Sequence, residues 1–323
     1  MKVNASDITN ELVNLVRERK LIILAGAGIS YESGLPLWDE LIDEFIDFCE
    51  RLQPHLDDSK KFQSLLDDAK KDENKRYPAR IASALKDELE RIDEGTGQIK
   101  LFFDTWLTDV LTGRDLSMKK RRGKSFPTNA GEPNEYHHTI VKTDYPFILT
   151  SNYDTLLERA AKEHFGMSTP SYTYKHPSHI ATSIYERKRA IVHIHGVVND
   201  VNIGDFVFTE DDYSKIKRIH PGFRLSLETL FIRYCTLFVG YGGSDPHLED
   251  ISEELSVHLW QDAHNSVGYA TNFPKSYLIL PENRADKLMT KYKSKFRTDI
   301  IAINNFNESL DLLKTLQNEC PRK

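Results

Sequence analysis

Short apolar runs separated by longer amphipathic stretches set the pattern of this chain. LIILA (21–25), PFILTS (146–151), AIVHIHG (190–196), TLFVGYG (236–242), SYLIL (276–280) and DIIAIN (299–304) read as buried strands. Between them the apolar spacing changes to the helical period. Ile8, Leu12, Val13, Leu15 and Val16 fall on one side of a helix over 6–19, with Ser6 or Asp7 as its cap. Leu37, Leu41, Ile42, Phe45, Ile46 and Cys49 place an amphipathic helix over 36–49. Further helices are expected around 134–142, 154–164, 224–234, 246–260 and 282–294, with an irregular stretch before the strand at 190. From about 51 to 115 the chain reads as helical and polar, with apolar positions at Phe62, Leu65, Leu66, Ile81, Leu85, Leu89, Leu101, Phe102, Trp106, Val110 and Leu111.

This alternation predicts an α/β fold: a doubly wound, mostly parallel, Rossmann-like sheet with a helical insertion. The sheet domain is expected over 1–50 and 135–305, and the insertion or cap over 51–134. Residues 306–323 are left as a C-terminal helix or tail. No internal repeat is visible.

Composition narrows the class. With 323 residues, 39% apolar and 28% charged, the chain has the make-up of a soluble globular protein with a sizeable core. A net charge of -6 disfavours strong direct binding to nucleic acid or to an anionic membrane. No run approaches the roughly 20 apolar residues of a membrane span. The first twenty residues lack the apolar core of a secretory signal. Cys49, Cys235 and Cys320 are odd in number and far apart, which points to a reducing cytoplasm and excludes a four-cysteine zinc ribbon from this chain alone. The loop around 118–135 is rich in Gly, Pro and Asn, and its basic run (118–124) reads first as a solvated surface. A contact with phosphates or with a partner is the other reading of that run.

In doubly wound sheets the ligand sits beyond the carboxyl ends of the strands. Four polar or glycine-rich segments occupy those ends: Gly26-Ala27-Gly28-Ile29-Ser30, Thr150-Ser151-Asn152-Tyr153-Asp154, His193-Ile194-His195-Gly196 and Gly240-Tyr241-Gly242-Gly243-Ser244-Asp245-Pro246. Glycines at 26 and 28 let backbone approach a pyrophosphate whose charge is met by amide N–H groups. Gly240, Gly242 and Gly243 supply a second flexible rim, and Ser244 a hydroxyl for phosphate or ribose. Asp245 before Pro246 reads as a helix cap. Asn152 either orders the turn or faces a ligand, and Asp154 caps the helix that follows. His193 and His195 share a strand face, so one of them can be a satisfied core histidine. His195, next to Gly196 at the strand end, is better placed to take a proton from a ribose hydroxyl or from water.

These four segments, in this order, resemble the sirtuin family. Its opening GAG-x-S-x-x-S-G-[IL]-P is matched from Gly26 to Pro36, its Thr-Gln-Asn-Ile-Asp by Thr150 to Asp154, and its His-Gly by His195-Gly196. The chain departs from deacylating sirtuins in lacking the two zinc-binding CxxC pairs and in reading Leu37-Trp38-Asp39 after Pro36. Those departures, with Asn152-Tyr153-Asp154, the segment from Gly240 to Pro246 and Thr209 to Tyr213, are similar to the sirtuin-like domains of prokaryotic defence systems.

The resemblance implies an NAD hydrolase that releases nicotinamide and ADP-ribose, the toxic effector of an antiphage, abortive-infection system, with helices in place of the zinc module. It makes NAD the substrate and implies no metal. Asn152 would orient the ribose or the attacking water, His195 would accept a proton, and Asp154 would contact the carboxamide. Gly26, Ala27, Gly28, Ser30, Pro36, Trp38, Ser151, Tyr153, Gly240, Gly242, Gly243 and Ser244 would line the cofactor. It also implies a homo-oligomer, activated by assembly or by an ATPase/helicase, a short Argonaute or another sensor encoded in the same operon. The rival readings are an NAD-dependent protein deacylase or ADP-ribosyltransferase, and a non-catalytic sensor that binds NAD or ADP-ribose.

Overall fold

The structure is a computed structural model that describes residues 2–56, 60–71, 78–93, 96–114, 126–198, 206–243, 245–255, 274–286, 288 and 298–322. The chain divides into two compact units. The first comprises Met1–Ser30, Pro133–Gly196 and Ile219–Lys323. The second comprises Tyr31–Glu132 and Val197–Arg218.

The first unit is an eight-stranded sheet of β1 (Lys2–Asn4), β2 (Leu21–Ala25), β3 (Phe147–Thr150), β4 (Ser171–Thr173), β5 (Ala190–His193), β6 (Cys235–Val239), β7 (Ser276–Pro281) and β8 (Thr298–Ile303). Its spatial order is β1-β8-β7-β6-β2-β3-β5-β4, and every pairing is parallel. This is the α/β sheet that the apolar runs predict. β2 lies between β3 and β6, and its five residues are wholly buried, which explains an uninterrupted LIILA where a one-sided strand would alternate. From β2 the chain passes to β3 and on to the edge strand β4, steps back to β5 between them, then crosses to the other side at β6. The topological switch point therefore lies beside β2.

Register decides what that switch point can hold. Ala25 pairs with Thr150 and with Val239, and Thr150 with His193. Four strands thus end on one line, and their four loops start at one level.

Helices cover the sheet. On one face, Ile8, Leu12, Val13 and Val16 of Ala5–Arg17 share a core with Leu312, Leu313 and Leu316 of Phe306–Glu319. The helix or tail expected at 306–323 is a helix, and it belongs to the core of the sheet unit. Two further segments escaped the sequence pattern. β1 and β4 are three residues each, too short to display a period, and the stretch read as irregular holds β4 and the helix Pro177–Glu186. Pro177 and Pro221 each open a helix in the first turn, where a missing N–H costs nothing.

The second unit is helical: Trp38–Leu52, Lys60–Ala69, Pro78–Ile92, Gln98–Leu111 and Glu210–Ile219. Aromatic rings fill its core. Phe45 lies 5.5 Å from Phe103, 5.5 Å from Trp106 and 5.2 Å from Phe208 by ring centroids, and Phe48 stacks on Trp106 at 5.1 Å. Residues 36–50 and 206–218 thus fall in this unit, whereas the sequence boundaries expected at 50 and 135 put them with the sheet. The periodicity of Leu41, Ile42, Phe45 and Phe48 marks a buried face but does not say which core buries it. Among the described residues no helix is long and apolar enough to cross a membrane.

Candidate functional site

The loops after β2 and β6 meet backbone to backbone. The Gly26 amide donates to the Val239 carbonyl and the Gly28 amide to the Gly240 carbonyl, both at 2.9 Å. A Cβ on Gly26 would stand 2.6 Å from the Gly240 oxygen, and one on Gly28 2.8 Å from the Gly240 Cα. Gly240 has a φ of +64°, and a Cβ there would meet the Ile29 nitrogen at 2.6 Å. These glycines let two loops interlock, and the Gly26 and Gly28 N–H groups are already donated. The expectation that those two amides meet a pyrophosphate is corrected accordingly. Gly242, by contrast, is exposed with open space before its Cα, so close approach of a ligand to backbone is available there.

Beyond β2 the chain turns through the 3-10 segment Ala27–Ser33, which buries Ser30. The Ser30 hydroxyl is a hub. It donates to Asp154 Oδ2 at 2.9 Å, accepts from Asn152 Nδ2 at 3.0 Å, and lies 3.2 Å from His137 Nε2. His137 has a fixed tautomer. Its Nδ1 accepts from the Asn134 amide at 3.1 Å at the start of the helix Glu135–Lys142, so Nε2 carries the hydrogen and points it at Ser30. Burial pushes the His137 pKa down to about 3, so the ring stays neutral.

Asn152 is 6% exposed, and its Oδ1 has no hydrogen-bond partner among the described residues. Its main chain is held at both ends. The Asn152 amide donates to Thr150 Oγ1 at 3.0 Å, and its carbonyl accepts from His193 Nδ1 at 3.0 Å. Asp154 Oδ1 accepts from the Leu156 amide at 3.0 Å, capping the helix Leu156–Phe165 from within the turn. Both Asp154 oxygens are thereby engaged inside the chain. Burial raises its pKa, against the hydrogen bonds of Leu156 and Ser30.

His193 and His195 have separate fates. His193 is fully buried, with Nε2 at 2.6 Å from Glu158 Oε1, and Ser171 Oγ donates to the same oxygen at 2.5 Å. Because Nδ1 must donate to the Asn152 carbonyl, a charged imidazolium lets both nitrogens donate. Burial opposes that charge, but the Glu158 carboxylate and its hydrogen bond outweigh it and raise the His193 pKa. Glu158 is lowered in turn, burial again opposing and His193 prevailing. His193 is therefore the satisfied core histidine that strand parity allowed.

His195 sits one turn further, beyond the strand end. Its Nε2 lies 2.9 Å from Asp245 Oδ2, both side chains being nearly buried. Asp245 also caps the helix Pro246–Leu255: its Oδ1 accepts from the His247 amide at 3.0 Å and from the Leu248 amide at 3.3 Å. Burial works to raise the Asp245 pKa, yet His195 and the helix N-terminus hold it below the usual carboxylate range. The contact is one of distance: the two atoms are close without forming a well-aligned hydrogen bond. A carboxylate beside an imidazole is the arrangement found behind a general base. The ring of Tyr153, also buried, lies 6.4 Å from that of His195. Next to this pair, His247 is buried with neither ring nitrogen hydrogen-bonded among the described residues, and burial pushes its pKa down to about 4.

The structure thus brings Gly26, Gly28, Ser30, Asn152, Tyr153, Asp154, His195 and Gly240 to one end of the sheet, with half-buried Ala27 and Ser151 beside them. The Ser151 amide donates to the Ala25 carbonyl at 3.0 Å. Gly243, at a φ of +79°, continues the β6 loop, while Ser244 lies outside the described residues, as does the basic run at 118–124. Pro36 and Trp38 belong to the helical unit, where Trp38 packs edge-on to Phe208 at 5.7 Å. Sequence reasoning missed three partners. Asp245 was legible only as a cap, because one carboxylate performs both tasks. Glu158 and His137 act through space, although the spacing Asn134-x-x-His137 at a helix start is a capping signal.

Residues 146–301 match the family described as SIR2-like domain. The chain is 24% identical over 204 residues to NAD(+) hydrolase ThsA of Bacillus cereus (strain MSX-D12), covering 58% of this chain and 40% of that one. It is 25% identical over 206 residues to NAD(+) hydrolase ThsA of Enterococcus faecium, covering 59% and 42%. Against NAD(+) hydrolase ThsA of Cytobacillus dafuensis it is 24% identical over 302 residues, 93% of this chain and 50% of that one. The chain spans half the length of these curated relatives or less. By its motifs, its parallel sheet and this match, the chain is similar to SIR2-like domains over residues 146–301.

Proposed function

We propose that this chain hydrolyses NAD to nicotinamide and ADP-ribose. The observation that carries the reading is the buried Asn152 Oδ1, an acceptor without a partner among the described residues, at the switch point and on the same sheet end as the His195–Asp245 pair. A lone buried acceptor is costly unless a ligand or water meets it. In the reaction the C1′–N bond breaks and its electron pair leaves on the nicotinamide nitrogen. Water oxygen then forms the new bond to C1′ and loses its proton to His195 Nδ1. Nicotinamide leaves from a cationic ring, so no nucleophilic carboxylate is needed. Holding the ribose and the water and keeping bulk solvent out supply the rate. Asn152 Oδ1 accepts from the ribose or water O–H, and Asp245 keeps His195 in the accepting tautomer.

The names of the relatives support the same substrate. The biological reading is that of a defence effector whose NAD depletion harms an infected cell, set off by assembly into a homo-oligomer or by a sensor partner from the same operon. The test is nicotinamide release by the purified chain, alone and with its neighbouring gene's product. Asn152→Ala and His195→Ala should each lower the rate about 100- to 10,000-fold with the fold intact. Undiminished release by both variants refutes the assignment, and transfer of ADP-ribose or deacylation of an acyl-lysine peptide in its place redirects it to a protein-modifying enzyme.

A further inference from the structure

We propose that Asp154 acts through Ser30, as the positioning residue that decides which end of the Asn152 amide faces the site. The argument is one of hydrogen inventory and starts at a backbone group whose role is fixed. The Asn134 N–H can only donate, so His137 Nδ1 accepts and His137 Nε2 holds a hydrogen for Ser30. Ser30 has one hydrogen of its own and two lone pairs. His137 fills the first lone pair.

On the other side, the Leu156 N–H can only donate, so the Asp154 oxygen facing it must accept. An ionised Asp154 then presents a second acceptor, Oδ2, to Ser30, and the Ser30 hydrogen goes there at 2.9 Å. The remaining Ser30 lone pair calls for a donor, and Asn152 supplies it with Nδ2 at 3.0 Å. Oδ1 is left facing away from Ser30, an acceptor without a partner among the described residues. A carboxylate two bonds removed from the site thereby makes Asn152 present an acceptor there.

The same inventory says what a neutral residue does at this position. In Asp154→Asn, the oxygen must still meet the Leu156 N–H, so the new Nδ2 faces Ser30 as a donor. Ser30 now accepts twice and must give its hydrogen to Asn152. The Asn152 amide turns over, and its NH2 replaces Oδ1 at the site. Protonation of Asp154 produces the same pattern, with the Asp154 hydroxyl as donor. The groups that bear on that protonation are Ser30 from the loop after β2, the Leu156 amide and Glu158 from its own helix, and His193 from β5. The neutral His137 acts through Ser30.

The inventory rests on these contacts and on an ionised Asp154, while its kinetic consequence rests on the proposed NAD cleavage, so the experiment has two arms. Neutron diffraction from deuterated crystals reads the Asn152 amide and the Ser30 hydrogen directly. The wild type should show Nδ2 toward Ser30. Asp154→Asn, or wild-type crystals soaked at a pH acid enough to protonate Asp154, should show Oδ1 there. In the kinetic arm, Asp154→Asn should release nicotinamide about 100-fold more slowly, through kcat more than KM. Adding Asn152→Asp to it restores an acceptor at the site and should recover at least part of that loss. The proposal is overturned if the amide keeps its wild-type orientation in Asp154→Asn and at acid pH, or if the second substitution deepens the loss. A wild type that releases no nicotinamide in any assembled state defeats the NAD reading instead, and the diffraction arm still decides the inventory.

Discussion

The pair of His193 and Glu158 can be broken from one side only, by Glu158→Ala. The imidazole is fully buried and the carboxylate four-fifths buried, with 2.6 Å between them. Removing one partner of a buried pair typically costs about 3–5 kcal/mol, since the other charge is stranded. Glu158 is 20% exposed, so water reaches the gap and the low end, about 3 kcal/mol, applies. For a chain of this size that is a fall of roughly 4 °C in the thermal midpoint. Glu158→Gln separates charge from contact. Its amide donates to a neutral His193 Nε2 while Nδ1–H keeps the Asn152 carbonyl, so the expected loss is only about 1 kcal/mol.

The pH dependence has a definite sign. His193 is raised from 6.5 by folding, so its share of the stability is complete below 6.5 and lost as pH rises through the folded value. Glu158 is lowered from 4.5, so its share is complete above 4.5 and lost as pH falls through the folded value. Wild type minus Glu158→Gln should therefore be largest between 4.5 and 6.5 and shrink on both sides. Thermal unfolding by circular dichroism across that range measures it. Equal midpoints for wild type and Glu158→Ala between those values, or a difference flat with pH, would refute the ion pair.

Asp245→Asn keeps a good helix cap but withdraws the charge from His195, so nicotinamide release should fall about 10,000-fold, as when a triad carboxylate becomes an amide, with an unfolding midpoint near wild type; a rate within threefold of wild type removes Asp245 from the mechanism. Gly240→Ala sets a Cβ 2.6 Å from the Ile29 nitrogen at a φ of +64° and should cost roughly 1–3 kcal/mol, whereas Gly242→Ala, with nothing near it, should leave the denaturant midpoint alone. His247→Phe exchanges a buried ring whose two nitrogens have no partner among the described residues for an apolar one, beside Phe223 at 6.2 Å, and should raise the unfolding free energy by about 1 kcal/mol; a loss would show that the imidazole makes a contact worth keeping.

What the sequence discloses follows the range of the forces involved. LIILA, FILT, AIVH, TLFV, SYLIL and DIIAI are apolar because neighbours bury them on both faces, so the strands announce themselves, and the strand ends point to Asn152 and His195. Lys2–Asn4 and Ser171–Thr173 are edge strands held by one neighbour each, and three residues carry no period. Gly26 and Gly28 look like a phosphate loop, but the same residues are demanded by Gly240, more than 200 residues along the chain. The dual service of Asp245 and the tautomer of His137 depend on atoms brought together by folding, and no spacing rule reports them.

The helical unit departs from the sheet unit at two points, immediately after Ser30 and immediately after Gly196, and nowhere else. None of its residues takes part in the register that aligns Ala25, Thr150, His193 and Val239. Selection can lengthen, shorten or rewrite those helices without displacing the line of strand ends.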